Sequence, residues 1–270
     1  MFETRIALAL LIFGVSACGQ AAQPVSITFH GKVGEQTFAC GQSYAGLGTT
    51  ATAAKLSDFR LYVHDVRLID SAGAEQPVAL DQDALWQYEN VALLDFEDKT
   101  SPCDGTAATN STIHGSAAPG SGSYSGLRFV LGVPAALNHE NQATAPAPLN
   151  YTSLFWTWQD GYKFMRTEGK TVGAGNAVMF HLGSTGCAKD GSGQTQCQTA
   201  NTAAIELAGF NPQKNSVAVD LAALFAGSDL SQDMMCMSEP GSAACSAIFA
   251  RLGLPFAGAA ASPQKLFRVE

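Results

Sequence analysis

The sequence predicts a mainly β chain: an antiparallel β-sandwich or partial barrel with long disulfide-stapled loops and a short C-terminal helical segment. Three observations carry this expectation. Apolar and polar residues alternate over several short stretches, the period-2 signature of half-buried strands. Gly (27) and Pro (11) punctuate the intervals between them. Six of the seven cysteines lie beyond residue 18, spread so that they can staple loops. No repeat of solenoid period is present.

The elements follow in order. Residues 25–33 (VSITFHGKV) place Val25, Ile27, Phe29 and Val33 on one face and Ser26, Thr28, His30 and Lys32 on the other. Residues 41–54 are rich in Gly, Thr and Ala and read as a loop. Residues 59–69 (FRLYVHDVRLI) are partly apolar on both faces, which suits a central strand. After an Asp70–Gly73 turn, a further strand is expected within 86–96. Residues 97–123 form a long loop that Cys103 can anchor. A strand over 124–133 precedes an Ala/Pro/Asn-rich loop that holds His139. Strands are then expected over 153–158, 162–166 and 177–182.

Residues 183–204 read as a loop held by two cysteines. The segments 205–210 and 216–221 suit a strand pair across Asn211-Pro212, although 220–225 could instead open a helix. A helix is expected over 246–252. The organisation is therefore a tether over 18–24, a β domain over 25–225, and a C-terminal extension over 226–270 packed on or near it.

The N-terminus sets the compartment. Residues 6–16 (IALALLIFGVS) match a signal-peptide core. They are too short to span a bilayer, which takes about 20 apolar residues. Val15-Ser16-Ala17-Cys18 resembles a bacterial lipobox, so residues 1–17 are expected to be removed and Cys18 lipidated. An ordinary signal peptide cut near Ala17 or Ala22 is the alternative. Either way the chain is exported, to the periplasm or cell envelope, with membrane contact only through a lipid anchor. Removal of residues 1–17 takes away Glu3 and Arg5 together and leaves the net charge at −8.

That acidic balance excludes a nucleic-acid partner, which needs a basic surface to displace counterions. In an oxidising compartment the six remaining cysteines suit disulfides. Local loops suggest Cys187–Cys197 and Cys236–Cys245, leaving Cys40–Cys103, out of 15 possible pairings. No Cys-x-x-Cys is present to argue for a thiolate metal site, and no Cys-x-x-Cys-His for a haem of the chain's own.

Enzyme signatures are missing. There is no dinucleotide or phosphate loop, no His-Glu-x-x-His and no Gly-x-Ser-x-Gly. Of the five histidines, His30 reads as solvated, His114 has no evident partner, and His64 lies mid-strand beside Asp65. His139 sits in a polar patch, and His181 shares a strand face with Met179 if Phe180 and Leu182 point to the core. Phe155-Trp156-Thr157-Trp158 through Phe164 packs five aromatics into ten residues. In a strand, Trp156 and Trp158 would project from one face, either as core or as an electron-rich pair. Exported imidazoles beside such indoles suit copper, zinc or iron, with copper at the top of the affinity order.

Several segments together resemble one family. They are Trp86-Gln87, Leu93-Leu94-Asp95-Phe96, Leu131-Gly132-Val133-Pro134 to Asn138-His139, Phe155 to Phe164, and His181-Leu182-Gly183-Ser184-Thr185-Gly186-Cys187. The chain from about Phe29 to Leu224 is similar to the four-Cys protein of the metallo-mystery pair, the MbnP family. The resemblance implies an exported copper-binding protein in copper homeostasis, not itself an enzyme. It implies a partner, a di-haem MauG-like enzyme of the cytochrome c peroxidase family, that oxidises a tryptophan to kynurenine. By position, His139 and His181 match the family's histidine motifs as metal ligands. Trp156 or Trp158 matches its modified tryptophan, and Cys40, Cys103, Cys187 and Cys197 match its four cysteines. Cys236 and Cys245 lie beyond the recognised part. The rival expectation is a non-metal β-sandwich lipoprotein that binds a glycan or protein through its Trp pair.

Overall fold

The computed structural model describes residues 21–120 and 123–270. The expected signal peptide and Cys18 lie outside the described residues. The fold is mainly β, a curled half-barrel sheet with two helices and three disulfides.

Its spine is one strand, Thr52–Asp70, longer at both ends than the sequence pattern indicates. Apolar side chains on both faces let it sit inside the molecule, and Phe59, Leu61, Tyr62 and Val63 are fully buried. One edge pairs with Met165–Thr171 and then with Tyr124–Leu131. The opposite edge pairs with Ser43–Leu47, Val91–Asp95 and Glu75–Leu80. A positive φ at Asp65 (50°) coincides with a register shift between His64 and Arg67, a bulge that bends the strand. Met165–Thr171 carries Ala177–Leu182 on its far side, and this pair positions the candidate site.

Most of the expected strands are present, and several expectations are corrected. The first strand runs Gln23–Val33, so the tether ends earlier than residue 24. The 97–123 loop contains a strand, Thr112–Ala117, antiparallel to the first strand. The two segments flanking Asn211-Pro212 do not pair with each other. Ala203–Ala208 pairs with Tyr124–Leu131, whereas Val217–Asp220 runs parallel to Gln23–Val33. A short helix, Leu221–Phe225, does follow, because the Asp220 carboxylate accepts from the Ala222 and Ala223 amides.

The loop expected over 183–204 is a hairpin, Thr185–Lys189 with Thr195–Thr199, in which Cys187 faces Cys197. Its faces are almost wholly polar, so no apolar alternation marks it. The Asp190 carboxylate closes its turn on the Ser192 and Gln194 amides.

The C-terminal extension is woven into the sheet rather than laid upon it. Met234–Cys236 adds parallel to Ala177–Leu182, and Phe267–Val269 adds antiparallel to Val217–Asp220. The helix is Ala243–Leu252, ending at Gly253 in the left-handed region (φ 77°). Cys236–Cys245 ties the added strand to this helix. Cys40–Cys103 ties the loop after the first strand to the long loop, completing the expected set.

Burial on both faces forces the polar groups of the spine to find partners inside. Arg60 is 1% exposed and forms a two-point ion pair with Asp58, also 1% exposed. Arg60 Nη1 donates to Ser153 Oγ at 3.1 Å. Arg166 Nη1 adds a second cation to Asp58 at 3.0 Å. Opposite Arg60 in the sheet stands Asp95, likewise 1% exposed. Burial pushes the Asp95 carboxyl up to about 8, against the pull of Arg60. Thr106 Oγ1 donates to Asp95 Oδ2 at 3.2 Å and to the Ala108 carbonyl at 3.0 Å, and the Glu97 amide donates to Asp95 Oδ1 at 3.1 Å.

A raised carboxyl holds its proton in the folded state after the unfolded chain has released it. Its contribution is therefore complete below the ordinary value of 3.8 and is lost as pH rises toward about 8. Asp95→Asn, which removes the titrating carboxyl, should flatten the stability profile over that window. Urea unfolding from pH 4 to pH 8 checks this, and an unchanged slope would contradict a protonated Asp95.

Candidate metal centre

The Trp-x-Trp segment is not a strand. A 3₁₀ turn covers Thr152–Leu154, a single bridge joins Phe155 to Tyr162, and the chain reverses between them. Thr157 causes the reversal. Its Oγ1 accepts from the Gln159 and Asp160 amides and donates to Asp160 Oδ2 at 2.7 Å. Gly161, with φ of 78°, returns its amide to the Thr157 carbonyl at 2.8 Å. The two indoles therefore part and do not share a face. Trp156 is half-buried, whereas Trp158 is 53% exposed under Lys189, whose Nζ stands 4.8 Å from the ring centroid.

Trp156 comes to rest beside His181, with ring centroids 6.2 Å apart. It lies so close over Gly183 that a Cβ there would meet Trp156 Cζ3 at 2.3 Å. His181 is 5% exposed, on the strand Ala177–Leu182. Its Nε2 donates to Glu168 Oε1 at 2.7 Å. Its Nδ1 is buried and has no hydrogen-bond partner among the described residues. Burial would raise the Glu168 carboxyl, but hydrogen bonds from His181 and Arg166 outweigh it and bring it to about 2. Arg166 Nε donates to the same oxygen at 2.7 Å, and its Nη1 reaches Asp58.

The imidazole is thus held by a chain of charge running back to the spine, with one ring nitrogen presented and unused. A carboxylate on the far nitrogen of a histidine is a characteristic arrangement around metal-binding imidazoles. Soft sulfur lies on the same strand face. Met179, two residues before His181, stands opposite Met235 on the added strand.

His139 has a different set of neighbours. Its Nδ1 donates to the Trp158 carbonyl at 3.2 Å. Its Nε2 lies 3.2 Å from Asn138 Nδ2 and 3.3 Å from Cys197 Sγ. His139 and His64 line one cleft of about 340 Å³ with Asn138, Ser184 and Cys197, and His181 is not among its lining residues. His64 Nδ1 donates to the Gly132 carbonyl at 2.8 Å, and burial holds this histidine below its ordinary value.

Among the described residues, two groups of three potential ligands lie within 4.8 Å: His139 with Cys187 and Cys197, and Glu97 with Cys40 and Cys103. In both, the cysteines are joined as disulfides and offer no thiolate. Glu97 is occupied by the Lys99, Gly105 and Thr106 amides.

The other candidates have structural partners. His30 pairs with Glu270 at 3.1 Å, and His114 meets Ser26 at 3.1 Å. Trp86 stacks on Tyr151. The structure therefore brings Trp156 to His181 and His139 to the Trp158 backbone. Glu168 and Arg166 escaped the sequence reading, since Thr-Glu-Gly-Lys is an ordinary polar stretch. The alternation of Arg166 and Glu168 along one strand face was the available signal.

Gly183→Ala should displace the Trp156 indole from His181. The expected readout is a changed Trp near-ultraviolet circular dichroism and a stability loss of about 1–3 kcal/mol from overpacking. Unchanged spectra would contradict the packing of Trp156 on this glycine.

The sequence profile of the MbnP family matches residues 22–238. A comparison with curated protein sequences gives no match. Among solved structures, MbnP from Methylosinus trichosporium is 32% identical to this chain. It superimposes with a TM-score of 0.81, over 93% of this chain and 99% of that one. No helix among the described residues is long and apolar enough to cross a membrane. The three disulfides are those of an exported protein. By profile and by structure, the chain belongs to the MbnP family.

Proposed function

We propose that the protein is an exported copper-binding protein of copper homeostasis, with its metal on His181 and an oxidised Trp156. One observation carries the reading: a buried imidazole, fixed through Nε2 by Glu168, keeps Nδ1 unpartnered, and its ring centroid lies 6.2 Å from that of an indole. An intact indole offers only an N–H donor. Opening it to kynurenine removes one carbon, adds one oxygen and unmasks an aniline nitrogen. That nitrogen would stand next to the free imidazole nitrogen as a second ligand. Copper suits imidazole nitrogen.

Electrostatics separates the two tryptophans as substrates for oxidation. The Lys189 ammonium over Trp158 opposes the removal of an electron from that ring. Trp156 has the anionic Glu168 behind its neighbouring histidine. Trp156 is therefore the modified residue in this reading. The oxidation is catalysed by a partner, a di-haem MauG-like enzyme using a peroxide-level oxidant, with the lost ring carbon leaving as formate, and the protein acts as substrate and copper carrier rather than as catalyst. The setting is the periplasm or cell envelope, with a lipid on Cys18 as the membrane attachment. The rival, glycan binding on a two-indole platform, loses support because Trp156 and Trp158 part at Thr157.

Peptide mapping and metal analysis of protein isolated from its own cells test the proposal. Kynurenine at position 156 together with bound copper is expected, and His181→Ala should remove the copper while leaving the fold intact. Kynurenine at 158, or copper retained by His181→Ala, would overturn the assignment.

A further inference from the structure

We infer that the Cys187–Cys197 bond is a thiol–disulfide exchange site, open to a dithiol reductant while the rest of the protein stays folded, and that it governs the position of Trp158. The inference does not rest on the copper reading, and it uses neither His181 nor Trp156.

The three disulfides differ in their surroundings. Cys40, Cys103, Cys236 and Cys245 belong to the hydrophobic core or pack against it, whereas the Cys187–Cys197 pair stands outside it. Cys187 faces Cys197 across the hairpin of Thr185–Lys189 with Thr195–Thr199, a two-stranded sheet of its own. Among the described residues no third strand is hydrogen-bonded to it. An isolated two-stranded hairpin is at best marginally stable in water, so the disulfide is what keeps this one closed. Breaking the bond opens the hairpin alone, a local event that leaves the main sheet in place.

One of the two sulfurs can be reached, and a proton acceptor stands beside it. Cys197 is half-buried and lines the cleft of about 340 Å³ together with His139. Its Sγ lies 3.3 Å from His139 Nε2. His139 Nδ1 donates to the Trp158 carbonyl at 3.2 Å, so the lone pair of the neutral ring is on Nε2. Asn138 Nδ2 approaches the same nitrogen at 3.2 Å and also reaches Ser184 Oγ at 3.2 Å. A disulfide sulfur has no proton to offer that lone pair. A thiol at Cys197 would donate its S–H to it. The surroundings thus favour the reduced form, the property that makes a disulfide oxidising and labile.

The exchange balances with a dithiol as the only co-reactant. One thiolate of the reductant attacks Cys197 Sγ, the Cys187–Cys197 bond breaks, and Cys187 leaves as a thiolate. The second thiolate of the reductant attacks its own sulfur in the mixed disulfide and releases Cys197. The reductant gives up two electrons and two protons and ends as a disulfide. Cys187 and Cys197 end as thiols.

The hairpin holds the Trp158 turn at two points. Lys189, on the same strand as Cys187, places its Nζ 4.8 Å from the Trp158 ring centroid. Gln159 Nε2 donates to the Cys187 carbonyl at 3.0 Å. Opening the hairpin releases both contacts and frees the exposed indole, so the redox state of the pair is read out at Trp158.

The full oxidised chain, titrated with dithiothreitol and followed by alkylation and peptide mapping, tests this. Cys187 and Cys197 are expected to be alkylated together while the other two disulfides persist and the far-ultraviolet circular dichroism is unchanged. The Trp158 indole N–H resonance should shift over the same titration. The Cys187→Ser, Cys197→Ser double variant should show the shifted resonance without reductant. His139→Ala should move the balance toward the disulfide by ~2–10-fold, the worth of one hydrogen bond. Reduction of Cys187–Cys197 only on global unfolding, earlier opening of another disulfide, or a Trp158 resonance that ignores reduction would overturn the inference. Mapping and resonance are read on the unaltered protein, so they decide the matter even if a variant fails to fold.

Discussion

The structure depends on the burial of a strand that carries charge. Thr52–Asp70 is covered on both faces and paired on both edges, and it still holds Asp58, Arg60 and His64. A buried ion without partners is untenable, so each of these groups recruits neighbours. Asp58 takes both Arg60 and Arg166. Arg166 takes Glu168, and Glu168 takes His181. The candidate copper ligand is thus the outer end of a chain that begins in the core. Removing Glu168 would leave His181 Nε2 without its acceptor and loosen the imidazole.

Against this rigid backing, the tryptophans are placed by local turn chemistry. Thr157 and Gly161 reverse the chain within a few residues. One indole is driven inward onto Gly183 and the other is left at the surface beneath Lys189. The same turn presents the Trp158 carbonyl to His139. A single loop therefore serves two histidine environments, one buried behind a carboxylate and one opening on a cleft.

Much of this was legible in the residues, for physical reasons that also mark where legibility stops. The first strand and the spine announce themselves because half or all of their side chains must be apolar. The three disulfides follow from loop spacing and an even number of thiols in an exported chain. The 185–199 hairpin was not visible, because a polar hairpin held by Cys187–Cys197 has no hydrophobic face to show. The parallel pairing of Met234–Cys236 and the remote pairing of Phe267–Val269 are long-range choices that no local pattern encodes. At the site, the histidine and tryptophan types pointed to metal chemistry and the family resemblance named it. Which indole meets which imidazole did not follow, because a strand would have placed both indoles together. The Thr157 side chain, competing for the backbone amides, decided otherwise.

Membership of the MbnP family and the geometry around His181 converge on one place in the molecule. The extension beyond residue 238, where the family match ends, contributes the helix Ala243–Leu252 and its half of the Cys236–Cys245 bond. It thereby braces the strand that lies alongside His181. The most direct test is anomalous diffraction at the copper edge on crystals of protein taken from its own cells. The account predicts an anomalous peak bonded to His181 Nδ1 and to the side chain at position 156. A copper peak in the His64–His139 cleft with none at His181 would contradict it.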